Sequence, residues 1–161
     1  MITSIERKIK DWPAAKATIL GWQMVGGQMV FTNGCFDLIH PGHLHYLAEA
    51  SALGKKLIVG LNSDASVAQL KGPHRPIMDQ SARALLLASL IFVDLVVIFD
   101  QATPLELIRT LRPDILVKGG DYQEDEVVGA AEVKSWGGQV QLLSFLPEYS
   151  TSAIIEKIKA G

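Results

Sequence analysis

The residues best able to do chemistry fall in one segment, Phe31-Thr-Asn-Gly-Cys-Phe-Asp-Leu-Ile-His40-Pro-Gly-His43. It runs from a strand-like apolar stretch through a tight turn into a helix, and in a parallel sheet ligands bind at such strand ends. Pro41 presets the first helical turn, and Gly42 lets a ligand approach the backbone. The spacing of His40 and His43 puts them on neighbouring parts of one helix face. Free N–H groups and the positive end of a helix dipole attract anions, and imidazoles donate hydrogen bonds to phosphate oxygens without a permanent charge. The segment reads as a cradle for a triphosphate.

Spacing alone leaves other readings open. Helix capping or ordinary packing accounts for two such histidines at least as well. Asp37, His40, His43 and His45 are all zinc-ligand types, although His45 points to a different side of a helix from His43, and no second Cys or His cluster supplies a further ligand. Cys35 could be a nucleophile, but a lone cysteine more often packs as a small hydrophobe. Neither G-x-x-x-x-G-K-[ST] nor G-x-G-x-x-G occurs, so P-loop and dinucleotide-type cradles are disfavoured.

The elements that must hold this segment are legible in the chain order. Apolar runs at 29–32, 57–61, 95–99, 115–117 and 140–145 are nearly continuous, as suits strands buried on both faces. Helix-length segments separate them, which predicts an α/β fold with a parallel five-stranded sheet. Asp11 before Pro13, Pro41, Asp64, Asp79, Thr103 before Pro104, Asp125 and Ser150 mark helix starts. Gly54, Gly72 and Gly137-Gly138 mark stops. Ile2, Ile5, Ile9 and Trp12 recur at helical spacing, and a second helical stretch runs from Pro13 to about Val25. Residues 1–27 are therefore expected to be a helical appendage on a catalytic core of residues 28–161, within one domain. The alternative for that appendage is a contact in a homo-oligomer, a dimer or larger.

Composition excludes several classes. Fifteen Lys and Arg against seventeen Asp and Glu leave no basic excess for a polyphosphate backbone, so nucleic acid is not an expected partner. No apolar run approaches the roughly twenty residues of a membrane span. One cysteine and a charged start, MITSIERKIK, point to a reduced, cytoplasmic protein.

H-P-G-H fits the H-x-G-H signature of the nucleotidyltransferase superfamily that includes the cytidylyltransferases. With FTNGCFDLIHPGH, GLNSD, LKGPHRPI, LVKGGDY and YSTSAII, the chain from Gln28 to Lys159 resembles the adenylyltransferases acting on D-glycero-β-D-manno-heptose 1-phosphate. These occur as separate enzymes or as the C-terminal half of a bifunctional heptose kinase/adenylyltransferase. The resemblance implies a Rossmann-like, doubly wound sheet with helices on both faces. It implies transfer of AMP from ATP to heptose 1-phosphate, with Mg²⁺, giving ADP-heptose for lipopolysaccharide and pyrophosphate.

Carried onto this chain, the resemblance makes His40, His43 and Lys71 the catalytic set. The imidazoles would hold the ATP phosphates and Lys71 would fold over them, with Arg75 close behind. Arg83 would contact phosphate, and Ser150, Thr151 and Ser152 would offer hydroxyls and N–H groups at the start of the last helix. Asp37 would lie on the sugar-phosphate or metal side, and Asp64 near the turn after the second strand. Gly119, Gly120, Asp121 and Tyr122 would border ribose and base, and Lys118 would lie among the residues binding substrate or nucleotide. Thr32, Asn33, Gly34, Cys35, Phe36, Gly42 and Asn62 complete the expected lining. Each has a plainer use: Lys71 and Arg75 as solvated loop charges, Asp64 and Ser150 as caps, Arg83 in a helix-surface pair, Gly119 to Asp121 as a turn.

Ser152 stands where a second threonine is frequent. Glu148 and Tyr149 stand where glycerol-phosphate cytidylyltransferases carry an arginine, which disfavours the alternative, a CTP-dependent cytidylyltransferase for glycerol phosphate or a similar alcohol phosphate. A non-catalytic nucleotide-binding module is the alternative of a different class.

Overall fold

The computed structural model describes residues 1–161. Five parallel strands, β1 (Met29–Gly34), β2 (Lys56–Asn62), β3 (Leu95–Phe99), β4 (Ile115–Gly119) and β5 (Gln139–Leu143), form one sheet in the order β3-β2-β1-β4-β5. The chain winds outward from β1 to β3, then returns to the other side of β1 for β4 and β5. The fold is the doubly wound one expected, and its switch point lies between β1 and β4. β1 pairs with β2 along its whole length, from Met29 with Lys56 to Gly34 with Leu61. Its pairing with β4 covers only Val30 with Ile115 and Phe31 with Leu116. Beyond those residues the two strands part, and a crevice opens at their C-terminal ends.

The helices are α1 (Ile2–Glu6), α2 (Trp12–Met24), α3 (Pro41–Ala52), α4 (Asp64–Lys71), α5 (Gln80–Ser89), α6 (Leu105–Leu111), α7 (Ala130–Ser135) and α8 (Thr151–Ala160). Apolar layers lie on both faces of the sheet. One packs Phe31, Ile58, Val97 and Leu116 against Leu107 and Ile108 of α6 and Val133 of α7. The other packs Val30, Val59 and Val117 against Leu47 of α3 and Leu87 of α5. Asp11, Asp79 and Ser150 cap α2, α5 and α8 through their side chains, as their types predict.

Three expectations need correction. The first concerns the N-terminal segment. α1 stops at Glu6, and the chain then runs extended so that Ile9 bridges Val96 on the edge strand β3. Lys10 N–H donates to Val96 C=O, and Val96 N–H donates to Lys8 C=O. α2 then packs on the sheet and buries Ala15 and Ile19 completely within the first core layer. The helical spacing of Ile2 to Trp12 was overridden because an uncovered strand edge offers the backbone better partners. Second, Asp125 opens no α-helix. It sits in a single 3₁₀ turn, Glu124–Glu126, bracketed by reciprocal bonds of Gln123 and Glu126, and α7 starts only after Gly129. The stretch between is drawn extended by Val127, which is buried in the core. Third, Ser63 rather than Asp64 caps α4, leaving the Asp64 carboxylate free for a longer-range bond.

Candidate functional site

The parting of β1 and β4 is held by Tyr46 of α3. Its hydroxyl makes a 2.6 Å hydrogen bond with Thr32 of β1 and donates to the Val117 carbonyl of β4 at 3.4 Å. Thr32 is fully buried, so it belongs to this wedge and does not line the site as expected. Burial raises the Tyr46 phenol to about 12, and the Thr32 bond opposes this only in part, so the phenol is a fixed structural donor at neutral pH.

Above the wedge is a cavity of about 240 Å³. Asn33, Gly34, Cys35 and Phe36 of the β1–α3 turn line it, with His43, Lys71 from the end of α4, Lys118 and Gly119 from β4, Tyr122, and Thr151 from the start of α8. Tyr46 and Phe145 complete the aromatic wall. The Phe145 ring lies directly on Gly119, where any β-carbon would collide with it. Sequence reasoning missed both rings. The signals were present: Phe145 follows a strand end, and Tyr46 lies three residues beyond His43 on the same helix.

His40 and His43 come together as a stacked pair, ring centroids 3.8 Å apart and planes inclined by 24°. The geometry differs from two positions on one helix face. His40 is the N-cap, with extended backbone (φ −140°, ψ 168°), and its side chain caps nothing. Its ring folds over Gly42, where an added β-carbon would sit 2.9 Å from His40 Cε1 and 3.0 Å from Nδ1. Gly42 thus leaves room for the His40 ring. The Phe36 ring meets His43 edge-on at 5.2 Å from a strained left-handed backbone position, φ 44°. Both Nδ1 atoms are buried without a hydrogen-bond partner.

The electrostatics keep the pair neutral. Burial, then the neighbouring His40 and Lys71, push His43 down to about 4; the Leu38 carbonyl, close to the ring but outside hydrogen-bonding geometry, opposes this weakly. Burial also lowers His40. Nearby, burial raises the Cys35 thiol despite Lys71, Arg83 and Arg75, which leaves it protonated and unsuited to nucleophilic attack.

Other expected residues serve the frame. Arg83 is fully buried, and its guanidinium donates to the carbonyls of Met78 (2.9 Å), Cys35 (2.7 Å) and Asn62 (2.8 Å) and to the Asp64 carboxylate (2.7 Å). It ties the ends of β1 and β2 together and has no donor turned to a phosphate, which corrects its expected role. Asn62 is likewise nearly buried and donates to Ser66.

Asp37 accepts from the N–H groups of Ile77 and Met78 and from Arg75 Nε at 2.7 Å. Burial raises its carboxyl, but the Met78 and Ile77 N–H groups and Arg75 outweigh that and hold it below the usual range. It therefore staples the α4–α5 loop while still lining the cavity, as expected of it. No group of three or more His, Cys, Asp or Glu side chains converges to hold a metal ion, so the zinc constellation does not form; His45 is exposed elsewhere on α3. Gly120 and Asp121 do not line the cavity, while Gly119 and Tyr122 do. Ser150 caps α8 by accepting from Ala153 N–H, and Ser152 sits beside Thr151 in its first turn. The N–H groups of Thr151 and Ser152 have no partner within the helix.

Against known proteins, residues 31–157 match the model of the cytidylyltransferase-like family. The chain is 54% identical over 95% of its length to the "Bifunctional protein HldE" of Magnetococcus marinus, and 52% identical over 96% to that of Acidiphilium cryptum. It spans 31% and 32% of the lengths of those relatives. Among solved structures, it resembles the lipopolysaccharide core biosynthesis protein from Thermoplasma volcanium, with a TM-score of 0.62 and 29% identity over 75% of this chain and 98% of that one. With its H-x-G-H segment at the opening of a doubly wound sheet, the chain belongs to the cytidylyltransferase-like family.

Proposed function

We propose that this chain transfers an adenylyl group from ATP to D-glycero-β-D-manno-heptose 1-phosphate, releasing pyrophosphate and forming ADP-heptose for lipopolysaccharide synthesis. The observation that carries this reading is the gathering of His43, with His40 stacked behind it, Lys71 and the open start of α8 around one cavity at the sheet's switch point. High identity to bifunctional HldE proteins supports the acceptor. ATP as donor rests on the same resemblance, and the cytoplasm is the proposed setting.

The acceptor's phosphate oxygen is ionised near neutral pH, so attack on the α-phosphorus needs no general base. The new P–O bond forms as the bond to the β-phosphate oxygen breaks on the opposite side, and the electron pair leaves with pyrophosphate. The protein aligns the two phosphates and offsets developing charge. His40 and His43 each donate a neutral N–H, Lys71 brings a mobile charge, and Thr151 and Ser152 offer backbone N–H groups to the leaving phosphates. Because the chain forms no carboxylate cage, Mg²⁺ would be carried largely by the nucleotide's own phosphates, where it neutralises charge.

The test is incubation with heptose 1-phosphate, Mg²⁺ and either ATP or CTP, with the nucleotide sugar detected by mass. ADP-heptose from ATP is the expected product. CDP-heptose alone would overturn the donor assignment, and ATP binding without any pyrophosphate release would favour a non-catalytic module.

A further inference from the structure

The crevice has a second lobe of about 290 Å³. It shares Asn33, Gly34, Cys35, Lys118 and Tyr122 with the first lobe, then extends past the end of β2 toward the β3–α6 loop. Its further lining includes Asn62, Leu70, Thr103, Pro104, Glu126 and Val128. The mixture suits a polyol, since C–H faces can pack on Leu70, Pro104 and Val128 while Thr103 and Glu126 meet hydroxyls.

Lys118 stands at the joint between the lobes, its Nζ 5.5 Å from the centroid of the Tyr122 ring. No carboxylate or carbonyl accepts from it. Among the other half-buried cations, Lys8 is satisfied by the Leu90 and Val93 carbonyls and Lys56 by Asp94, while Arg75 donates its Nε to Asp37 and keeps a buried Nη2 without a partner. Burial lowers the Lys118 ammonium, as expected for a cation without a counter-charge. A bound anion would reverse that.

We infer that Lys118 holds the phosphate of the acceptor at the joint between the lobes, with the acceptor's polyol seated in the second lobe. This rests on the nucleotidyl-transfer reading above. The first lobe already offers His43, Lys71 and Thr151 to a triphosphate. The second offers no cation except Lys118, and it carries the Glu126 carboxylate. A phosphomonoester entering from that side therefore meets one positive charge, placed between it and the nucleotide it must attack. A cation between two polyanions offsets the repulsion that opposes their approach.

The test compares wild-type protein, Lys118→Met and Lys118→Arg in a pyrophosphate-release assay with heptose 1-phosphate, and measures binding of a non-hydrolysable ATP analogue by calorimetry. A charged hydrogen bond to a phosphate is worth roughly 10- to 100-fold, so Lys118→Met should raise KM for the sugar phosphate by about that factor. Affinity for the ATP analogue should stay within about twofold, and Lys118→Arg should fall between Met and wild type. An unchanged acceptor KM in Lys118→Met, or an equal loss of nucleotide affinity, overturns the inference. Should Lys118→Met fail to fold, the Lys118→Arg KM split decides in the same way. If wild-type protein ignores heptose 1-phosphate but uses another phosphomonoester, the acceptor named above is wrong, and the Lys118 comparison is made on that substrate. Pyrophosphate release with no phosphomonoester overturns both.

Discussion

His43 carries the sharpest consequences at the residue scale, because it is half-buried, neutral and stacked on a second imidazole. Removing one preorganised donor from a transition-state site costs on the order of 10² to 10³ in turnover. His43→Ala is expected to lose kcat on that scale in the pyrophosphate assay while keeping its far-UV spectrum; near-normal turnover would contradict the role. A second consequence concerns pH. His43 titrates near 4 in the fold against 6.5 for an unburied histidine. Below 6.5 the unfolded chain takes up a proton that the folded chain refuses, so stability falls as pH drops from 6.5 toward 4. His43→Asn lacks this linkage, and its urea midpoint should decline less over that interval than the wild type's. The histidines were legible from H-P-G-H, but the roles of Arg83 and Asp37 were not. A motif shows that a charge is present and says nothing of which backbone groups the fold brings to it, and both turned out to hold carbonyls and N–H groups of the surrounding loops.

At the scale of elements, the site depends on two close fits. The His40 ring lies over the start of α3, where Gly42 has no side chain. Gly42→Ala should therefore displace His40 and cut kcat by roughly 10- to 100-fold, since sub-ångström misplacement of a catalytic group has effects of that size. Its melting temperature should move little, which a thermal scan beside the assay would separate from unfolding. The second fit is the Asp37 staple on the α4–α5 loop. Asp37→Ala leaves Arg75 without its partner and frees the Ile77 and Met78 N–H groups, a loss expected to cost about 2 kcal/mol in denaturant unfolding. All five strands were readable because buried parallel strands are continuously apolar. The α7 start was not, because its timing is set by where Val127 must enter the core and by the left-handed Gly129, not by the acidic run before it.

For the whole molecule, the N-terminal segment is the informative part. Ile19 is fully buried between α2 and the sheet, so Ile19→Ala should cost about 3 kcal/mol and lower the melting temperature by about 6 to 12 °C. A chain shortened to begin at Gln28 should lose cooperative unfolding altogether. A shortened chain with wild-type melting behaviour would show that the sheet does not need α2. Sequence periodicity did not single out these positions, because α2 buries only a narrow stripe, Ala15 and Ile19, while much of its surface stays exposed. The same sheet that needs α2 on one face parts at its switch point to open the crevice, and the account depends on a triphosphate being held there. The most direct measurement is a crystal structure with a non-hydrolysable ATP analogue. The expected result places its phosphates within hydrogen-bonding distance of His43 and the Thr151 backbone N–H, with Lys71 folded over them. Phosphates anchored away from the stacked histidines would contradict the account.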